Sequence, residues 1–316
     1  MQKWMIASLL TLAPVMYSQQ GRVAGPVAGY VFDGGARVLR PVLGVPGASV
    51  LGSSIELGMA LSSAAISPRL DSVLATAADG SFHIFNLSSG AAAEIAVNGI
   101  AGAPERVAFS PAGSAAALYS GSRLQIVTGL PASPVAGSTF DLTPYLALPG
   151  GKGHRTFTDS FAVSDDGAYL LVAGAAGVQL FGSGGSRQLV STRNTAVAFL
   201  PGSHDAAAAG TGLLLIKDVG GAATQQVLAQ DDASQAAVGL AASADGGQLY
   251  LASQQGVAAF DLAAGSHNLV KCDCSPAGIT GMGSLYRLNE VGTAPLWLFD
   301  TTATGPRIVF VPADSR

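Results

Sequence analysis

Five segments of this chain repeat one short pattern, and that recurrence constrains the fold more than any other feature. Val107-Ala108-Phe109-Ser110-Pro111-Ala112-Gly113 leads into an apolar run, a glycine and a second apolar run. Phe161-Ala162-Val163-Ser164-Asp165-Asp166-Gly167, Val197-Ala198-Phe199-Leu200-Pro201-Gly202 and Leu240-Ala241-Ala242-Ser243-Ala244-Asp245-Gly246 begin the same way, and Ala64-Ala65-Ile66-Ser67-Pro68 is a fainter copy. Anchored on the fourth residue, the copies start at 67, 110, 164, 200 and 243, with intervals of 43, 54, 36 and 43. A period near 44 made of short strands and tight turns predicts an all-β chain in which each repeat is one blade of a closed ring, a β-propeller.

Within each repeat the punctuation predicts four antiparallel strands. In the 164 repeat these are Phe161–Val163, Tyr169–Ala173, Val178–Phe181 and Gln188–Val190, with Asp165-Asp166-Gly167 as the first hairpin turn. Asp-Gly suits such turns because glycine reaches positive φ at little steric cost. With 41 glycines, 16 prolines and 49% apolar residues the chain has the turns and the core such a fold needs. A closed all-β ring of this length is one domain, expected over residues 27–316 after a signal peptide at 1–18 and a short extension at 19–26.

The two ends are expected to meet. Gly29-Tyr30-Val31-Phe32-Asp33 and Arg37–Val42 look like the outer pair of a repeat, matching Gly256–Asp261 and Asn268–Val270, yet no inner strands precede them. Gly283–Leu288, Leu296–Asp300 and Arg307–Val311 supply a complement at the other end. The expectation is six four-stranded blades, the last completed by the N-terminal segment, which hides a sheet edge. Seven blades is the alternative, with Gly29–Leu61 as a short blade of its own.

The degenerate turns Ser-Pro-Ala-Gly at 110–113, Ser-Asp-Asp-Gly at 164–167 and Ser-Ala-Asp-Gly at 243–246 resemble those of secreted bacterial β-propellers of the YVTN and WD40-like kind. The resemblance is at repeat level and spans about residues 27–315. It implies a fold and leaves activity open, because propellers host enzymes and scaffolds alike.

Lys3 followed by an apolar stretch of 13 residues, Trp4 to Met16, reads as an export signal too short to span a bilayer. A secreted or periplasmic monomer without a stable membrane span is expected. The formal charge of −4 and the lack of any basic run exclude a nucleic-acid footprint.

Candidate chemistry is sparse. The only cysteines, Cys272 and Cys274, can form a local disulfide, stay as free thiols or serve metal or redox chemistry. His83 alternates with Phe82 and Ile84 in a strand and reads as structural, while His204 and His267 sit in turns. No nucleophile elbow, zinc-binding helix motif or dinucleotide fingerprint appears. The longest interval between anchors holds Lys152, His154 and Arg155 in a glycine-rich run. Residues just ahead of each innermost strand fall at one mouth of the central channel: Glu105, Arg106, Asp159, Arg193 and Asn194. The inserted cations are expected to fold over that mouth and form a polar binding site with these groups. Glu105, Asp159 and Asn194 offer hard oxygen donors of the kind calcium takes, and six-bladed calcium-dependent lactonases use a similar set.

These features favour a non-catalytic exported propeller that binds a protein or extracellular ligand through its channel-mouth face and needs no cofactor. The alternative is a lactonase-like or other hydrolytic propeller with Ca²⁺ at the mouth.

Overall fold

The computed structural model describes residues 25–88, 91–146, 160–292 and 294–313. It is a ring of seven antiparallel sheets. Blade 1 has three strands, β1 (Val27–Asp33), β2 (Val38–Val45) and β3 (Ala48–Leu51). Blade 2 holds β4 (Leu61–Ile66), β5 (Ser72–Ala77), β6 (Phe82–Ser88) and β7 (Ala91–Ile95). Blade 3 holds β8 (Arg106–Phe109), β9 (Ala115–Ser120), β10 (Arg123–Thr128) and β11 (Val135–Asp141). Blade 4 holds β12 (Ser160–Val163), β13 (Tyr169–Gly174), β14 (Gly177–Gly182) and β15 (Gly185–Val190). Blade 5 holds β16 (Asn194–Phe199), β17 (Ala206–Gly210), β18 (Leu213–Lys217) and β19 (Thr224–Ala229). Blade 6 holds β20 (Ala237–Ala242), β21 (Gln248–Ser253), β22 (Gly256–Asp261) and β23 (Ser266–Lys271). Blade 7 holds β24 (Thr280–Met282), β25 (Leu285–Arg287), β26 (Leu296–Asp300) and β27 (Arg307–Val311).

The core lies between blades. Seven apolar clusters each join one neighbouring pair, and the cluster of Val31, Val42, Met282, Leu285, Leu298 and Val311 closes blade 1 on blade 7. Second strands such as β5 and β17 are buried at every residue, being covered on both faces. This is why Ala206–Ala209 reads as a continuous small apolar run and not as an alternation. Burial of such surface contributes about 25 cal/mol per Å² and is the main force closing the ring.

The repeated turns hold themselves together. Ser164 Oγ donates to Asp166 Oδ1 at 2.6 Å and accepts from Tyr169 N at 3.0 Å, while Ala168 N donates to Asp166 Oδ1 at 3.0 Å. Ser243, Asp245, Gly247 and Gln248 repeat these bonds at 2.5, 3.0 and 2.9 Å. Burial opposes ionisation of Asp166, but hydrogen bonds from Ser164, Ala168 and His204 outweigh it and hold its pKa down at about 2. Gly167 closes the turn at φ +68°, where an added Cβ would strike Thr128 of the preceding blade. Asp165 ties three blades together: Oδ1 accepts from Ala112 N at 2.7 Å and Oδ2 from Gly202 N at 2.8 Å.

Two expectations are corrected. The ring has seven blades, not six, and the alternative of a short N-terminal blade holds. The N-terminal strands do not complete the last blade, because Thr280–Met282, three residues with no readable pattern, already provides its inner strand.

Blade 1 is built differently from the others. Inner strands β4 and β24 start at the mouth and end at the repeated turns. β1 runs the other way: Gly29 packs on Met282 at the turn end, whereas Leu61 N donates to Arg37 O at the mouth end. By direction, β1, β2 and β3 correspond to the second, third and fourth strands of a blade. Among the described residues no inner strand precedes them, and β1 itself touches β4 and β24.

Candidate functional site

The inner strands surround a central cavity of about 870 Å³. The turn residues Pro68, Arg69, Ser110, Pro111 and Ser243 line one end of it, and one mouth lies at the other end, where these strands begin. Glu105 and Arg106 stand there at the start of β8, and Ser160 at the start of β12. Arg287 belongs to the same end because it pairs with Thr280, the first residue of β24, and Glu290 follows it.

Local bonds position these groups. Buried Gln125 accepts from Ala101 N at 3.0 Å and donates to Gly99 O at 2.7 Å, pinning the approach to Pro104–Arg106. Gly121 N donates to Glu105 Oε1 at 2.9 Å, and the Tyr119 hydroxyl donates to Gly121 O. Burial, reinforced by the Glu105 charge, raises the Tyr119 pKa above its ordinary value, against the opposing effect of Arg106. The Arg106 guanidinium lies 5.2 Å from the centre of the Phe161 ring, a cation–π contact that crosses from blade 3 to blade 4. Arg287 Nη1 meets Glu290 Oε2 at 2.6 Å.

The structure therefore brings Glu105 and Arg106 to the opening together. Arg193 and Asn194 are not in the cavity lining: Arg193 is exposed beside β16, and buried Asn194 donates through Nδ2 to Thr192 O at 2.7 Å. Lys152, His154, Arg155 and Asp159 lie outside the described residues, as do the expected signal segment 1–18 and most of the 19–26 extension. Among the described residues there is no group of three or more His, Cys, Asp and Glu able to hold a metal ion. No helix among them is long and apolar enough to cross a membrane. Cys272 and Cys274 form a disulfide, with Cα atoms 5.2 Å apart, in the connection from blade 6 to blade 7.

Sequence reasoning missed Arg287, Glu290 and Tyr30, all in the cavity wall. The only signal for the first two was their i,i+3 spacing, which fixes no position in the ring. Away from the mouth, Ser81 Oγ lies 2.7 Å from His83 Nε2, and His83 Nδ1 lies 2.6 Å from Glu94 Oε1. The order resembles a serine–histidine–acid relay. However, Ser81 Oγ donates its one proton to Asp79 Oδ1 at 2.6 Å, so the hydroxyl does not donate to His83 as a relay requires.

No family model and no curated protein matches the sequence. Among solved structures, a functionally unknown protein from Desulfotomaculum acetoxidans DSM 771 is similar over 90% of this chain and 99% of its own, with a TM-score of 0.57 and 16% identity. The β-propeller domain of Myceliophteria thermophila Cps50 (Swd1) is similar over 66% of this chain and 70% of its own, with a TM-score of 0.45 and 14% identity. The sheet order, the seven inter-blade clusters and the first of these likenesses agree that the chain is a β-propeller.

Proposed function

We propose that the chain is an exported, non-catalytic binding propeller that takes a protein or other extracellular ligand at the mouth of its channel. The observation that carries this reading is that Glu105 and Arg106 from blade 3 and the Arg287–Glu290 pair from blade 7 line the same end of one cavity. In a chain with only 11% charged residues, two acids and two guanidinium groups around one concave opening give a mixed-charge rim. Such a rim suits a polar or zwitterionic ligand, or an anchoring side chain of a partner. The reading includes Lys152, His154, Arg155 and Asp159, which lead in sequence into β12 beside the mouth.

The test is to purify a partner retained by the mature protein from the organism's extracellular or periplasmic fraction and titrate it. Reversing rim charges with Glu105→Lys and Arg287→Glu is expected to weaken binding by about tenfold or more. Gln226→Glu, on the exposed outer strand β19, is expected to leave it unchanged. Equal affinity for all three proteins would contradict a mouth site. Thermal stabilisation by calcium would instead support the lactonase-like alternative.

A further inference from the structure

The shaft below the mouth carries two features that say what can enter it. The first is a ring of small residues, of which Ala162 and Ala198 are also buried in the contacts between blades. Two residues before each turn anchor stand Ala65, Ala108, Ala162, Ala198 and Ala241, and Gly281 stands two before Gly283; all six line the cavity. No member is larger than alanine, so the shaft at this level is apolar and unobstructed by long side chains.

The second feature is a strand edge. The carbonyls of Leu39 and Pro41 turn outward and accept from Ile55 N at 2.8 Å and Gly52 N at 2.8 Å. Their cross-strand partners on β1 are Phe32 and Tyr30. In an antiparallel pair, residues opposite each other bond together only at alternate positions. The Tyr30 N–H and C=O and the Phe32 N–H therefore point away from β2, toward the channel that Tyr30 lines. Among the described residues these three groups have no hydrogen-bond partner, and the edge is first occupied at Asp33, which bridges Val291 in parallel. Every other blade places an inner strand at this position.

We propose that the channel accepts an extended peptide as an added strand, antiparallel to β1 and paired with the backbone of Tyr30 and Phe32. The peptide would run in the direction of the six existing inner strands, with small apolar side chains against the alanine ring. The proposal rests on the channel-mouth reading, with the charged rim admitting the peptide and the shaft holding it. A peptide suits the site better than an acyl chain, because an acyl chain would cover the backbone groups of β1 without pairing them, which is costly. Strand addition of this kind draws affinity from main-chain bonds and selectivity from alternate side chains.

The probe is a fluorescein-labelled peptide with the sequence of residues 195–199 (TAVAF), taken from β16, and its analogue N-methylated at alternate amides. Saturable binding of the first, and binding about tenfold weaker or worse for the analogue, is expected, since each lost bond is worth about 1 kcal/mol. Tyr30→Pro deletes an N–H that β2 does not use and is expected to give the same loss, whereas Tyr30→Ala, which gives up the same ring packing on the cluster between blades 1 and 2 but keeps the N–H, retains binding. Ala65→Trp, at a partly exposed lining position outside the clusters between blades, narrows the shaft and is expected to abolish binding. Four results would overturn the inference: no binding to the wild type, equal binding of the methylated analogue, undiminished binding by a folded Tyr30→Pro protein, or displacement of the peptide by equimolar decanoate. If the peptide fails while a mouth partner still responds to Glu105→Lys and Arg287→Glu, strand addition is lost and the mouth site stands.

Discussion

Val31→Asp is expected to open the ring between its first and last blades. Val31 is fully buried, among Val42, Met282, Leu285, Leu296, Leu298 and Val311. A carboxylate there meets no partner and loses its hydration, at a cost of about 3–5 kcal/mol. The melting temperature should fall by about 10 °C, and amide exchange should accelerate across β1–β3 and β24–β27 before the rest of the ring. Val31→Ala, which leaves only a small cavity, should cost about 2 kcal/mol and keep the ring cooperative. A Val31→Asp protein that melts like the wild type would show that blade 1 does not close the structure.

The interface between blades 6 and 7 is the other sensitive place. Phe299 is fully buried, with its ring centre 5.2 Å from Tyr250 and 6.2 Å from Tyr286, while the two tyrosines meet edge to face at 4.8 Å. Tyr286 Oη donates to Ala242 O at 3.0 Å, so this aromatic group also bonds across the interface. Burial, with smaller contributions from Tyr250 and Asp245, pushes the Tyr286 phenol well above its ordinary pKa and keeps it a neutral donor. Phe299→Ala is expected to cost about 3–5 kcal/mol, from lost transfer energy and an unfilled cavity. Phe299→Leu should cost less than about 1.5 kcal/mol. Urea midpoints measure these costs, and equal midpoints for the two variants would mean that filling the site contributes nothing.

The blades were legible where a turn carries its own chemistry. Ser164 and Asp166, or Ser243 and Asp245, bond within four residues, so the pattern survives in sequence whatever surrounds it. The blade count was misread for a related reason. Asp33 Oδ1 accepts from Gly35 N and Ala36 N, both at 3.0 Å, just as Asp261 Oδ1 accepts from Ala263 N and Ala264 N at 2.9 and 2.8 Å. Arg37 at φ +60° and Gly265 at φ +65° end the two turns alike. The same local turn joins second to third strand in blade 1 and third to fourth in blade 6, and local chemistry does not record position in a blade. At the mouth, Glu105 and Arg106 were found because they directly precede a readable strand. Arg287 and Glu290 were missed because the inner strand β24 is three residues long and carries no period, so the segment read at Gly283–Leu288 had nothing to place it against the channel.

The strand-addition proposal depends on β1 facing the channel with an edge that is free at Tyr30 and at the Phe32 N–H, and residue-resolved amide exchange tests this most directly. Val31 lies opposite Arg40 in a bonded pair, whereas Tyr30 and Phe32 alternate with it on the channel side. The expected result is slow exchange at Val31, fast exchange at Tyr30 and Phe32, and slowing of those two amides when the peptide is added. Protection of Tyr30 and Phe32 equal to that of Val31 in the unliganded protein would mean that the edge is already paired and would contradict the account.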